Sequence, residues 1–391
     1  MPANSRVRPE TLVSRIHLQH ELPSENIMKS IACVLPGLVV AMLLLGMWTS
    51  EVCAKEGGRW TDAITPIGDF RLQYDAINED GKEDLERARY RIHVGASLQF
   101  SDRVQAYFVL GTNGDNPVSD NKVFDGHYRI DDFGFARAYV DWSANDRMRL
   151  YAGKMKNPLF RPGGAPLFWD SDFNPEGVAL SYQSGMLFAT AAAFVVEKRS
   201  SADDALLYAG QGGFSRNLST DDKLTAGLGY YDYTNTIGNE PFKNRGARGN
   251  SVDADGNLVF DYDVLQLFVQ YDTRLGEMPF VVFADYAQNT EVDIHDAGFS
   301  FGFKAGKAKA PGTWQVSWAY QDIEADALIG AFNDSDFGGG GTDATGHLIK
   351  GKYVLAERWI LGGTLIATEV EKNAGSEHDY SRLQLDIEFK F

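Results

Sequence analysis

Arginine stands at every second residue in one stretch of this sequence. Arg87, Arg89 and Arg91 alternate with Ala88 and Tyr90, and alternate residues of a β-strand point to the same face. Guanidinium groups can bind carboxylate or phosphate groups, because the planar fork of donors on each guanidinium matches their geometry. If the other alternating stretches are strands too, this face carries Arg71, Arg87, Arg89, Arg91 and Arg382, and Arg137 and Arg149 point the same way elsewhere.

Patterns that would indicate catalysis or metal binding do not stand out. The seven histidines are scattered and none has the spacing of an HExxH metal site. The segment 253–257 has the acidic residues of a calcium loop, but its glycine comes too early. We interpret it, and the segment 334–343, as Asx-rich outer loops, and a surface calcium site in the second stays an open alternative. We therefore predict no enzyme, no cofactor and no metal centre.

The start of the chain predicts export. An apolar run from Ile31 to Met47 follows Lys29 and is succeeded by Val52-Cys53-Ala54, a small-residue site at which a signal peptide can be cleaved. We predict an extension at 1–27, a signal peptide at 28–54 and a mature domain at 55–391. An uncleaved membrane anchor is the alternative, but Pro36 and Gly37 interrupt the apolar run.

Composition excludes several other classes of protein. The formal net charge is −17, which argues against nucleic-acid binding. Both cysteines, Cys33 and Cys53, lie in the predicted leader, so the mature chain would have no disulfide and no thiolate metal site. Lipid attachment at Cys53 is an alternative, although Ser50 to Val52 is a poor context for it.

A period of two residues runs through the whole predicted mature chain. From Ala88 to Phe100, apolar residues alternate with polar ones, and the last segment repeats the pattern up to Phe391. These segments reach about 10 residues, the length that a tilted strand needs to cross a bilayer. Strands can span lipid only as a closed barrel, because every backbone amide needs a partner there.

The fold class that follows is all-β, a transmembrane antiparallel β-barrel of about sixteen strands. Short periplasmic turns should alternate with long extracellular loops. The predicted strands are 67–76, 85–100, 104–112, 133–142, 147–155, 177–183, 186–196, 204–214, 223–231, 261–272, 278–288, 296–305, 313–323, 346–354, 359–368 and 380–391.

Several of these segments resemble a known family, the putative porins of Gram-negative outer membranes. The resemblance covers residues 67–391 and rests on the segments 87–91, 153–158, 169–177 and 334–343 and on the terminal Phe391. It implies a water-filled channel in the bacterial outer membrane for small hydrophilic solutes and ions. It also implies that Phe391 is an assembly signal read by the barrel-assembly machinery, and that lipids, lipopolysaccharide and two further copies of the chain in a homotrimer are the partners.

In porins the third outer loop commonly folds into the barrel. Here that loop is 156–176, and its charged residues are Lys156, Arg161, Asp170, Asp172 and Glu176. Opposite the basic wall patch, it would make a transverse field that sets selectivity. Alternatively, the arginines only pair with wall carboxylates such as Asp69, Asp75, Asp386 and Glu388. The alternative function is a structural or surface ligand-binding barrel with a plugged lumen.

Overall fold

One antiparallel sheet closes on itself into a barrel. The structure, a computed structural model, describes residues 60–112, 116–124, 132–200, 202–242 and 246–391. Of its seventeen strands, all but β4 follow one another in chain order around the sheet, and the last strand pairs with the first. β4 pairs with β2. One strand, β4, has only two residues, so sixteen strands form the wall. The predicted extension and signal peptide lie outside the described residues.

The sixteen predicted strands each correspond to one long strand of the barrel, which confirms the predicted fold class. The ends differ by a few residues, mainly because several strands continue beyond the apolar stretch. The strands are β1 Ile64–Glu79, β2 Leu85–Ser101, β3 Val104–Thr112, β4 Lys122–Val123, β5 Phe133–Asn145, β6 Met148–Lys154, β7 Glu176–Ser184, β8 Leu187–Glu197, β9 Ala205–Asn217, β10 Lys223–Tyr233, β11 Tyr262–Leu275, β12 Met278–Asn289, β13 Ala297–Gly306, β14 Trp314–Ile323, β15 Ala344–Ala356, β16 Trp359–Val370 and β17 His378–Lys390.

Alternation in the sequence becomes an inside and an outside in the barrel. On β17, Leu383 and Leu385 are 41% and 51% exposed, whereas Arg382 and Gln384 between and beside them are each only 3% exposed. An apolar side chain that is exposed on a closed barrel faces lipid, and the polar one faces the interior. Inward and outward residues can therefore be assigned along every strand.

The connections differ in length at the two ends of the barrel. At one end, the turn end, strands are joined by short turns such as 102–103, 146–147 and 185–186. At the other, the loop end, lie the longest connections, among them 155–175, 234–261 and 324–343. In the part of the chain that the structure describes, no helix is long and apolar enough to span a bilayer.

The main apolar core lies inside the barrel, toward the loop end. It includes Trp169, Phe242 and Phe332, one residue from each of these three long connections. Inward residues of the wall, such as Tyr231 and Tyr262, pack in the same cluster. Each of these connections therefore buries part of its apolar residues against the other connections and against the wall.

Candidate functional site

Five arginines and the carboxylates that bind them line one part of the interior wall. The arginines and four of the carboxylates lie on β17, β1 and β2, which are neighbours in the sheet, and the register places Arg71 between Arg91 and Glu388. The other two carboxylates, Asp172 and Asp336, come from the connections 155–175 and 324–343. We call this set the arginine network. Its members are Arg71, Arg87, Arg89, Arg91 and Arg382 with Asp69, Asp75, Asp172, Asp336, Asp386 and Glu388.

Asp75 is the centre of this network. Its carboxylate is fully buried and accepts two hydrogen bonds from Arg382, at 2.6 and 2.9 Å. Arg87 Nε donates a third at 2.7 Å, and Arg89 Nη2 lies 3.5 Å away. Arg89 also donates to Gln73. A buried charge needs such partners, because without them its desolvation is costly.

The wall carboxylates that the sequence named as alternative partners of the arginines do bind them. Arg91 donates to Asp69 at 2.9 Å and to Glu388 at 3.3 Å. Arg71 Nε lies 3.9 Å from Asp386. The five guanidinium groups thus face six carboxylates, and the wall patch predicted as basic carries no net positive charge.

The connection 155–175, which we call the inner loop, runs across the interior. Phe160 N donates to Gln211 Oε1 on β9, and Gly163 N donates to Gln270 Oε1 on β11, both at 2.7 Å. Asp172 on the same loop accepts from Arg91 Nη1 at 3.2 Å. The loop therefore touches wall strands on both sides of its own origin between β6 and β7.

The tip of the inner loop is shaped by glycine. Gly163 has φ +59°, and a Cβ there would come within 2.1 Å of the Phe283 ring on β12. Gly164 beside it has φ +67°, and its Cβ would lie 3.7 Å from Lys304 Nζ on β13. A side chain at either position would strain the backbone, and one at Gly163 would also clash with the Phe283 ring and push the tip off the wall.

The charged residues of the inner loop do not act as one group. Only Asp172 reaches the arginine network. Asp170 accepts from the backbone of Asp172 and Ser335, and Arg161 donates to the Trp169 carbonyl at 3.1 Å. The other two, Lys156 and Glu176, lie at the two ends of the predicted loop. Lys156 is exposed. Glu176 is the first residue of β7 and accepts a hydrogen bond from Lys154 at 3.1 Å.

A second connection at the loop end, 324–343, also folds inward. It contains the segment 334–343, which the sequence analysis interpreted as an Asx-rich outer loop, and several residues of that segment are buried. Asp336 lies 2.9 Å from Arg382 Nη1 and accepts from Gln384 at 3.0 Å. Gly341 has φ +122°, and a Cβ on it would meet the Arg248 carbonyl at 2.2 Å. A signal was present in the sequence, since Ala327 to Phe332 is apolar except for one glycine and such a run is unsuited to a solvated loop.

The three long connections interlock. Asn250 donates to the carbonyls of Ala325 and Leu328 at 2.8 and 2.7 Å, and Asn333 donates to the Leu167 carbonyl at 2.6 Å. The Phe332 ring lies 5.3 Å from the Phe242 ring. A displacement of one connection would therefore disturb the other two.

Buried carboxyl groups at this junction have shifted pKa values. Burial and the nearby Asp334 and Asp172 raise the pKa of Asp170 well above its usual range. Burial also raises the pKa of Asp334. For Asp336, burial is outweighed by Arg382 and Arg89, which lower the pKa. Asp336, which touches the arginine network, is thus ionised more readily than Asp170 and Asp334.

The two remaining predicted pore arginines lie away from the network. Arg149 on β6 donates to Asp141 on β5 at 2.6 and 3.1 Å. Arg137 stands opposite Val109 on β3, on the inward face of β5. Neither is brought close to the inner-loop carboxylates by any contact of the described residues.

The interior contains one pattern associated with hydrolases, which the interpretation of the sequence missed. Gly298, Ser300 and Gly302 have the spacing GxSxG, but that motif needs a strand-to-helix turn that exposes the serine. Here Ser300 lies within β13 and is 1% exposed. No group of three or more His, Cys, Asp or Glu residues suited to a metal ion occurs among the described positions.

A cavity of about 1030 Å³ opens beside the interlocked connections at the loop end. Residues of the β8 end line it together with the inner loop, and charged and aromatic side chains alternate. The lining includes Lys154, Asp172, Glu197, Phe242 and Phe332. We call this cavity the vestibule. Asp172 lines the vestibule and also binds Arg91.

Comparison with solved structures shows that the fold is shared with OprB of Pseudomonas putida. OprB of Pseudomonas putida at high pH is 11% identical, with 84% of this chain and 94% of that chain covered and a TM-score of 0.56. OmpT of Vibrio cholerae is 12% identical, with 88% and 100% covered and a TM-score of 0.47. No curated protein matches the chain.

A family model described as "Putative porin" matches residues 69–257 and 251–391. These two matches together cover nearly all of the barrel. They include the arginine network and the inner loop. They agree with the family resemblance seen in the sequence and with a channel rather than an enzyme in the outer membrane. The chain belongs to the putative porin family.

Proposed function

We propose that this porin passes small hydrophilic solutes and ions by passive diffusion, and that the inner loop narrows its lumen. The observation that carries the proposal is the course of the inner loop, which contacts β9 and β11 through Gln211 and Gln270 and reaches Arg91 on β2. A segment held at several points inside a barrel reduces the width open to solutes.

The arginine network supplies the polar wall at the narrowed part. Its guanidinium groups are paired, so they present a dense set of fixed dipoles and charges to a passing solute. A solute that can exchange hydrogen bonds with this wall is favoured over an apolar one. We infer that the wall and the inner loop together screen solutes by polarity and size.

Replacing Arg87, Arg89 and Arg91 by Ala tests the role of the wall. The change leaves Asp69, Asp75 and Asp172 with fewer cationic partners, so the reversal potential in a KCl gradient should move toward cation selectivity. The double change Arg103→Ala and Arg358→Ala, at two turns of the turn end, is the control. An unchanged reversal potential in the triple variant would reject this role of the arginines.

The predicted processing and partners remain part of this proposal. The mature domain would be 55–391, exported by cleavage of the signal peptide 28–54, and lipids, lipopolysaccharide and a homotrimer are its expected surroundings. Phe391 pairs through its backbone with Gly68 on β1 at 3.0 and 3.1 Å, so the proposed assembly signal also closes the barrel. Deletion of Phe391 should lower the yield of folded barrel in outer-membrane fractions.

A second function is favoured by the apolar core between the three long connections. If this core fills the barrel, the protein is a structural or surface ligand-binding barrel with a plugged lumen. Liposome swelling separates the two functions, because only an open lumen admits sugars of graded size. Swelling that falls steadily with solute size supports the channel, and no swelling with the smallest sugar supports the plug.

A further inference from the structure

Three lysines on the interior wall lie outside the arginine network. Lys350 and Lys352 lie on the inward face of β15, and Lys304 on that of β13. Lys304 and Lys350 both stand opposite Ser317 on the strand between them, so their Cα atoms are about 10 Å apart. Lys352 follows on the same face toward the turn end.

These lysines are weakly paired. Among the described residues, no carboxylate lies within ion-pair distance of Lys304 or Lys352, and Lys350 lies 3.8 Å from Asp334. Burial raises the pKa of Asp334 despite this lysine, which reduces the neutralisation that it offers. The partners opposite the two β15 lysines are Thr364 and Gly362, which are neutral and small.

Lys304 lies where the inner loop, which we propose narrows the lumen, meets the wall. The glycine tip of the inner loop lies against the Lys304 ammonium group, as the Gly164 geometry shows. Field lines from a charge are focused where low-dielectric walls approach one another. An unpaired ammonium group there acts on every ion that passes, whereas the arginine network contributes no net positive charge.

Resting on the proposed channel function, we propose that Lys304, Lys350 and Lys352 give this porin a preference for anions, so that small solutes bearing carboxylate or phosphate groups are its substrate class. An ammonium group is a compact point charge on a flexible stem. Three of them in a row can hand an anion from one to the next without a fixed geometry.

The experiment uses the purified full-length mature protein in planar bilayers under a KCl gradient. The reversal potential of the wild type should have the sign that indicates a preference for chloride over potassium. Changing all three lysines to Gln should lower the chloride-to-potassium permeability ratio several-fold. Changing them to Arg should leave that ratio unchanged. Lys82, Lys307 and Lys309, which are exposed near the barrel ends, are changed to Gln together as a control with the same change in net charge.

The outcomes distinguish failure of the lysine proposal from failure of the proposed channel function. Channels with cation preference in the wild type, or equal shifts in the two Gln variants, overturn the lysine proposal and leave the channel intact. Absence of conductance from the wild type overturns the proposed function itself. Retention of the barrel in each variant is checked by heat-modifiable migration on gels, and the Arg variant keeps the test valid if the Gln variant folds poorly.

Discussion

At the scale of single residues, Asp75 joins arginines of two wall strands, β2 and β17, to β1. It binds Arg382, Arg87 and Arg89 while fully buried. Asp75→Ala would leave buried guanidinium groups without their main partner, and breaking such a pair costs about 3–5 kcal/mol. We expect the unfolding free energy of the barrel to fall by that amount in urea titrations.

The control for this change is Asp80→Ala at the exposed turn after β1. A surface substitution of this kind changes the unfolding free energy by about 0.5 kcal/mol or less. Equal stability of the Asp75→Ala variant and this control would show that the network does not stabilise the barrel.

Asp170 gives the docked loops a pH dependence with a defined sign. An Asp carboxyl in an unfolded chain titrates near about 4, and burial raises the pKa of Asp170 in the folded protein. The folded state therefore binds more protons above that pH, and docking weakens as pH rises through the raised pKa. Asp172, Asp334 and Asp336 act on the same carboxyl. Arg161, which donates to the Trp169 carbonyl, is a cation that interacts with Asp170.

Hydrogen exchange of segment 324–343 at pH 5 and pH 8 measures this dependence. Exchange corrected for its intrinsic rate should be faster at pH 8 in the wild type. Asp170→Asn, which cannot ionise, should reduce the difference between the two pH values. Slower corrected exchange at pH 8 would contradict the expected sign.

At the scale of elements, the strands could be predicted because lipid imposes a strict alternation on them. β17 has one face toward lipid and the other toward a polar part of the interior, so the period of two in Leu383 to Phe391 is preserved in the structure. The loops obey no such rule. Their apolar residues are buried by one another, and a sequence does not show which loops meet.

In the candidate site, contacts between wall residues could be predicted from the sequence, whereas contacts made by loops could not. Arg71, Arg91 and Arg382 are neighbours because of the strand order and the closure of the barrel, and the sequence predicted both. The contact of Asp336 with Arg382 depends on a turn built by glycines 338–341, all with positive φ, and on burial of Phe337. Long-range loop contacts of this kind leave no periodic signal.

Phe332 is the side chain that joins the three connections most directly. Its ring lies 5.1 Å from Phe173 and 5.3 Å from Phe242. Phe332→Ala removes a buried ring and leaves a cavity, at a cost of about 3–5 kcal/mol. We expect faster hydrogen exchange in 155–175, 234–261 and 324–343, with the strands unchanged.

The matching control is Phe299→Ala, which removes a ring from the lipid-facing side of β13. Exchange in the three connections should then stay as in the wild type. If Phe332→Ala also leaves their exchange unchanged, the connections are held by the wall alone and do not interlock.

At the scale of the whole molecule, the closed sheet and the inward loops have opposite consequences for passage. A closed barrel of sixteen strands is wide enough to surround an aqueous path. The interlocked connections occupy part of that space at the loop end. Family membership indicates a channel, and the vestibule beside the connections is consistent with a path past them.

Single-channel recording of the purified protein in planar lipid bilayers decides whether this path is open. Stepwise insertion of discrete conductances that scale with salt concentration is the expected result, because a water-filled pore conducts ions in proportion to their number. Correctly folded barrels that insert into the bilayer but carry no current would contradict a channel function and leave the plugged barrel.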